Sequence, residues 1–144
     1  MAAIHFFSEE TDFVPKQKIA IRAWLRETAQ TEGVSIGKLN FIFCPDEYLL
    51  SINQEYLQHD TFTDIVTFDN SEKEGQIAGD VFISIDRVRE NAQKYQVSEV
   101  EELHRVIIHG LLHLCGYGDK SPAEKKKMTE KEDYFLARRR FSIK

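Results

Sequence analysis

The sequence predicts an α/β (α+β) domain, on three observations. Four short segments carry strand signatures, five carry helical periodicity, and the two C-terminal helices each open on a capping sequence, Ser98-Glu99-Val100-Glu101 and Ser121-Pro122-Ala123-Glu124. At 144 residues, 42% hydrophobic and 30% charged, the chain is long enough for one domain, residues 1–144, with a real core.

In chain order, Ile4-His5-Phe6-Phe7 is a short apolar run that reads as a strand, followed by a turn over 9–13. Pro15 suits the first turn of a helix on which Ile21, Trp24, Leu25 and Thr28 share a face, so Trp24 is read as core. Residues 35–44 alternate around Ile36, Leu39, Phe41 and Phe43 and form the second strand. Pro45-Asp46-Glu47 opens a helix with Leu49, Leu50, Ile52, Tyr56 and Leu57 on its apolar side, and Asn53 as a structural hydrogen-bonding residue. A loop through His59, Asp60, Thr61 and Phe62 follows, and His59 is able to serve as a third ligand by its chemistry alone, without support from spacing.

Residues 63–68 and 77–85 are β-branched and aromatic runs separated by the polar stretch 70–75, which makes them hairpin neighbours. Asp86 caps a helix reaching Tyr95. The central helix runs from the first capping box to about Cys115. The last runs from the second into Arg138-Arg139-Arg140, with Met128, Tyr134, Phe135 and Ala137 inward.

Composition narrows the setting. Cys44 and Cys115 make no disulfide framework, and no stretch reads as a signal peptide or membrane span, so a cytoplasmic protein without a membrane partner is expected. The formal net charge is −5, yet residues 120–144 hold nine Lys or Arg against four Asp or Glu, a local balance of +5. An acidic chain is a poor general nucleic-acid binder, while a basic segment of this kind either holds phosphates or is a solvated helix face.

The chemistry concentrates in His109-Gly110-Leu111-Leu112-His113-Leu114-Cys115-Gly116-Tyr117-Gly118-Asp119. Two histidines four apart lie on one helix face, about one turn apart, where both imidazoles can meet one zinc or related divalent ion. Gly116 and Gly118 turn the chain back, so that Asp119 is the candidate third ligand, with a turn or capping role as its alternative. Cys115 points away from the ligand face and is read as packing. A metalloprotease helix carries Glu directly after the first histidine; here that position is Gly110, so peptide hydrolysis is not the first reading. Asp80, in an apolar run after Gly79, is a carboxylate that needs partners. It joins His109 and His113 as a candidate catalytic residue, with Asp64 a weaker candidate of the same kind.

In series, Asn53-Gln54-Glu55-Tyr56, Thr63-Asp64-Ile65-Val66-Thr67-Phe68, Gly79-Asp80-Val81 and the run from His109 to Tyr117 resemble the motifs of the YbeY family, bacterial rRNA-maturation endoribonucleases classed as metal-dependent hydrolases. The resemblance implies a small mixed four-stranded sheet packed by about five helices, with a zincin-like metal helix. It also implies one Zn²⁺ per chain, and RNA cleavage in rRNA maturation and ribosome quality control. The partners it implies are ribosomal RNA, the small ribosomal subunit and ribosome-associated proteins. Two departures stand out. The family pattern ends in Tyr-Asp-His where this chain has Tyr117-Gly118-Asp119, and Leu57 stands where the family carries an arginine that meets RNA phosphate. Lys38, Lys120 or the C-terminal basic residues are the cations available to replace it. The alternatives are a metal hydrolase of another substrate, marked by a carboxylate base beside the metal, and a ribosome assembly factor with a structural zinc.

Overall fold

The computed structural model describes residues 3–57 and 63–141. Four strands and five helices follow in the order β1 (Ala3–Ser8), α1 (Lys18–Thr31), β2 (Ser35–Cys44), α2 (Asp46–Leu57), β3 (Ile65–Asp69), β4 (Gln76–Ser84), α3 (Ile85–Tyr95), α4 (Glu99–Leu114) and α5 (Pro122–Leu136). The strands form one mixed sheet of order β1-β2-β4-β3: β1 and β4 flank β2 in parallel, and β3 pairs antiparallel to β4. The loop residues 58–62, with His59, lie outside the described residues.

Strand alternation divides the apolar residues between two faces. Leu39, Phe41, Phe43, Val81 and Ile83 join Ile107, Ile108, Leu111 and Leu112 of α4 and Ile21, Trp24 and Leu25 of α1 in the main core. Val66, Phe68 and Phe82 meet Tyr48, Leu49 and Ile52 of α2 in a smaller cluster on the opposite face. Helix α4 lies unusually close to the sheet: a Cβ on Gly110 would stand 2.8 Å from Val81 Cγ1 and 3.1 Å from Ile65 Cδ1. A side chain there would overpack the core at a cost of about 1–3 kcal/mol. The position that bears the general base in metalloproteases is therefore a close approach of helix to sheet, where a glutamate side chain would meet Val81 and Ile65.

Several local expectations shift for identifiable reasons. Helix α1 starts at Lys18, beyond Pro15, after Gln17 in the left-handed region at φ 58°. Ser84, not Asp86, is the N-cap of α3, accepting from Arg87 N; the Asp86 carboxylate instead accepts from the backbone N–H of Asp46 at the start of α2. The Ser98 capping box is half made: Ser98 accepts from Glu101 N, but the Glu101 carboxylate is drawn away by Arg139. The Ser121 box is complete, with Pro122 at its head. On α2 only Leu49 and Asn53 are buried, and Tyr56 and Leu57 are exposed. On α5 the buried positions are Met128, Glu132, Phe135 and Leu136; Tyr134 faces outward, and the helix stops before Arg138. Trp24 is core as expected, its indole N–H donating to Phe135 O at 2.9 Å.

Candidate metal centre

The site begins with the last turns of α4, which follow from the burial of Ile107, Ile108, Leu111 and Leu112. Each such side chain contributes roughly 1.5–3 kcal/mol, and together they fix the rotation that turns His109 and His113 away from the sheet. His113 is exposed and His109 is half-buried. The helix ends in a turn in which Gly116 N donates to His113 O and Tyr117 N to Leu112 O, with Gly116 at φ 109°, a conformation that favours glycine. Tyr117 ties this turn down: its hydroxyl donates to Glu32 at 2.6 Å, and Lys131 reaches the same carboxylate at 3.0 Å.

Turned back in this way, the chain places Asp119 Oδ2 3.2 Å from His109 Nε2. The other nitrogen, Nδ1, is 2.7 Å from Glu132 Oε2, and Arg105 holds Glu132 Oε1 at 2.8 Å and Asp133 Oδ1 at 2.6 Å. A carboxylate only accepts, so the contact with Glu132 fixes a proton on His109 Nδ1; Nε2 donates to Asp119 while the ring is protonated and offers its lone pair once that second proton is lost. His113 repeats the pattern, with Nδ1 3.2 Å from the carbonyl oxygen of Tyr117 and Nε2 left over. Burial pulls the His109 pKa down, but the Glu132 hydrogen bond and the charges of Glu132, Asp119 and Asp64 outweigh it and the net shift is upward. Burial raises the pKa of the Asp64 carboxyl, with His109 opposing.

Two imidazoles with Nδ1 engaged, and with Nε2 of His109 directed at the Asp119 carboxylate, are a donor set that fits a divalent transition metal that displaces the Nε2 proton, and a carboxylate behind a ligand histidine is the usual support for one. Among the described residues, no group of three or more His, Cys, Asp or Glu side chains is already gathered into a metal-holding cluster.

The structure does not bring Asp80 to this place. Gly79 faces Leu114 of α4, so Asp80 projects from the other face of the sheet, where Asn40 Nδ2 donates to it at 2.9 Å and Asn70 Nδ2 at 3.4 Å. Asp64, just before β3, adds its charge to those of Glu132 and Asp119 in raising the His109 pKa, and is the smallest contributor of the three. Glu132 and Arg105 are the members that the sequence did not reveal. Glu132 occupies an apolar-stripe position of α5, four after Met128, and a charge at such a position was the available signal. Cys115 packs against the core, and burial lifts its thiol pKa to about 11. Arg139 is not free for phosphate: its side chain is 4% exposed and donates to Glu101 and His104.

The family model for endoribonuclease YbeY matches residues 4–140. The chain belongs to that family. The endoribonuclease YbeY of Cytophaga hutchinsonii is 54% identical over 138 residues, 96% of each chain. That of Parabacteroides distasonis is 47% identical over 135 residues, 94% of each. A Thermotoga maritima protein solved in solution has the same fold, with a TM-score of 0.65 and 26% identity over 92% of this chain and 86% of that one. The mixed four-stranded sheet and five helices implied by the YbeY motifs are thus the fold observed. Among the described residues no helix is long and apolar enough to cross a membrane.

Proposed function

We propose that this YbeY-family protein is a zinc-dependent endoribonuclease of single-stranded RNA, acting in the cytoplasm on ribosomal RNA of the small subunit during maturation and quality control, and that residues 1–144 form one hydrolase domain. The observation that carries the metal assignment is the orientation of His109, with Nδ1 held by Glu132 and Nε2 beside Asp119. His109, His113 and Asp119 would hold one Zn²⁺, which when bound supplies a Lewis acid for a phosphoryl oxygen and activates water. Asp119 in place of the family histidine leaves the centre with one more negative charge.

The remaining steps belong to the chain. Glu132 keeps the proton on His109 Nδ1, and Arg105 holds Glu132 in place. Gly110 excludes a glutamate base directly after His109. RNA carries its own nucleophile in the 2′-hydroxyl, and that route asks least of such a site. Leu57 leaves phosphate capture to another cation, and Lys120, exposed and adjacent to Asp119, is the nearest in sequence. Asp80, held by two asparagines on the far face, stays outside the reacting centre.

The test is rRNA processing in cells depleted of this protein and supplied with wild type or a His109→Ala/His113→Ala variant shown to fold. Wild type should restore mature rRNA ends and the variant should not. Equal restoration by both would reject metal-dependent cleavage and favour an assembly factor.

A further inference from the structure

A cleft of about 620 Å³ opens between the end of α3, the outer face of α4 and α5, and shares His109 as part of its wall. Most of its charges are already engaged. Arg105 is forked onto Glu132 and Asp133, Glu132 also holds His109, and Glu101 holds Arg139. Glu102 differs. It lines the cleft at 5% exposure, and its carboxylate makes no hydrogen bond or ion pair among the described residues. A carboxylate so largely buried and without protein donors is served by the solvent of the cleft alone, and a ligand that displaces that water has to bring N–H groups in its place.

We infer that this cleft is a nucleobase pocket beside the metal centre, and that Glu102 selects guanine in it. The inference rests on the endoribonuclease reading. A phosphate brings negative charge and no strong donors, and the acidic wall turns it away. Of the four RNA bases, guanine alone presents two adjacent N–H donors, N1–H and the 2-amino group, matched to the two oxygens of one carboxylate. Uracil sets one N–H between two carbonyls; adenine and cytosine set an amino group beside an acceptor nitrogen. Tyr95, 58% exposed, stands in the same lining and supplies a flat face for stacking, the usual way single-stranded bases are held. Burial, then the charge of Asp64, pushes the Glu102 pKa to about 7, as expected for a carboxylate lacking donors.

The test is an NMR titration of the full-length protein with guanosine, adenosine, cytidine and uridine, which carry no phosphate. Guanosine should shift the amides of Val97, Glu102 and Thr129 and bind about tenfold more tightly than uridine. Glu102→Gln should remove that preference while metal content and melting temperature stay at wild-type values. Tyr95→Ala, a surface change that folding tolerates, should weaken all four nucleosides alike. Equal binding of the four, guanosine preference surviving in Glu102→Gln, or no effect of Tyr95→Ala would each overturn the pocket. Guanosine bound in the cleft of a protein that cuts no RNA would support the pocket and count against the endoribonuclease reading alone.

Discussion

Helix α4 carries His104 and His109, five residues apart, in opposite electrostatic settings. His104 is 3% exposed, and Arg139 Nη1 lies 2.8 Å from its Nδ1. Arginine only donates, so His104 Nδ1 accepts and the ring is neutral with its proton on Nε2. Burial and then Arg139 lower its pKa to about 4. His109 meets carboxylates on both sides, which outweigh its burial and raise its pKa. The first ring has its lone pair consumed by a cation within the fold; the second has Nδ1 held by one carboxylate and Nε2 beside another, a position that a metal ion can take from a proton. The sign of the neighbours, more than burial, decides which histidine is structural and which is available to a metal.

The largest expected effect breaks the metal end. The purified protein should carry about one zinc per chain, and chelation should lower its melting temperature, because a ligand bound only by the native state stabilises it. His109→Ala/His113→Ala should carry almost none and be indifferent to chelator. A variant with wild-type zinc content would remove the pair as ligands.

The next effect sharpens the structural end. In the unfolded chain His104 takes up a proton near pH 6.5, whereas in the fold it resists protonation to about pH 4. Its contribution to stability is therefore complete above pH 6.5, drains as pH falls from 6.5 to 4, and changes no further below. The difference is on the order of 3 kcal/mol. Denaturant unfolding of wild type and His104→Gln across that window should show the wild type losing stability more steeply, and parallel curves would contradict the assignment.

A smaller loss is expected from Arg139→Ala, which removes the guanidinium over the Trp24 ring and its hydrogen bonds to Glu101 and His104. Because Glu101 keeps access to water, the cost is about 2 kcal/mol. The unfolding midpoint should fall without a change in zinc content, and loss of zinc would mean that the two ends of α4 are coupled.

The comparison also explains what the sequence made legible. His109, His113 and the turn to Asp119 lie within eleven residues, and helix period plus two glycines brings them together without knowledge of the rest. The strands and helices were similarly local and fall within a few residues of their expected places. Glu132 reaches His109 only through the packing of α5 on α4, a contact that no local period encodes, whereas Arg105 lies one turn before His109 on the same helix and acquires its role only when Glu132 joins them. Asp80 was misplaced by a single residue of strand parity: Gly79 faces α4, so Asp80 cannot. Arg139 read as part of a basic tail because its partners, Glu101 and His104, are more than thirty residues away.

Crystals of the zinc-loaded protein, measured across the zinc absorption edge, test the central claim most directly. One anomalous peak per chain is expected in contact with His109, His113 and Asp119, with Glu132 remaining on His109 Nδ1 and one coordination position open to solvent. A peak elsewhere, a site closed by four protein ligands, or Asp119 outside the coordination sphere would contradict it.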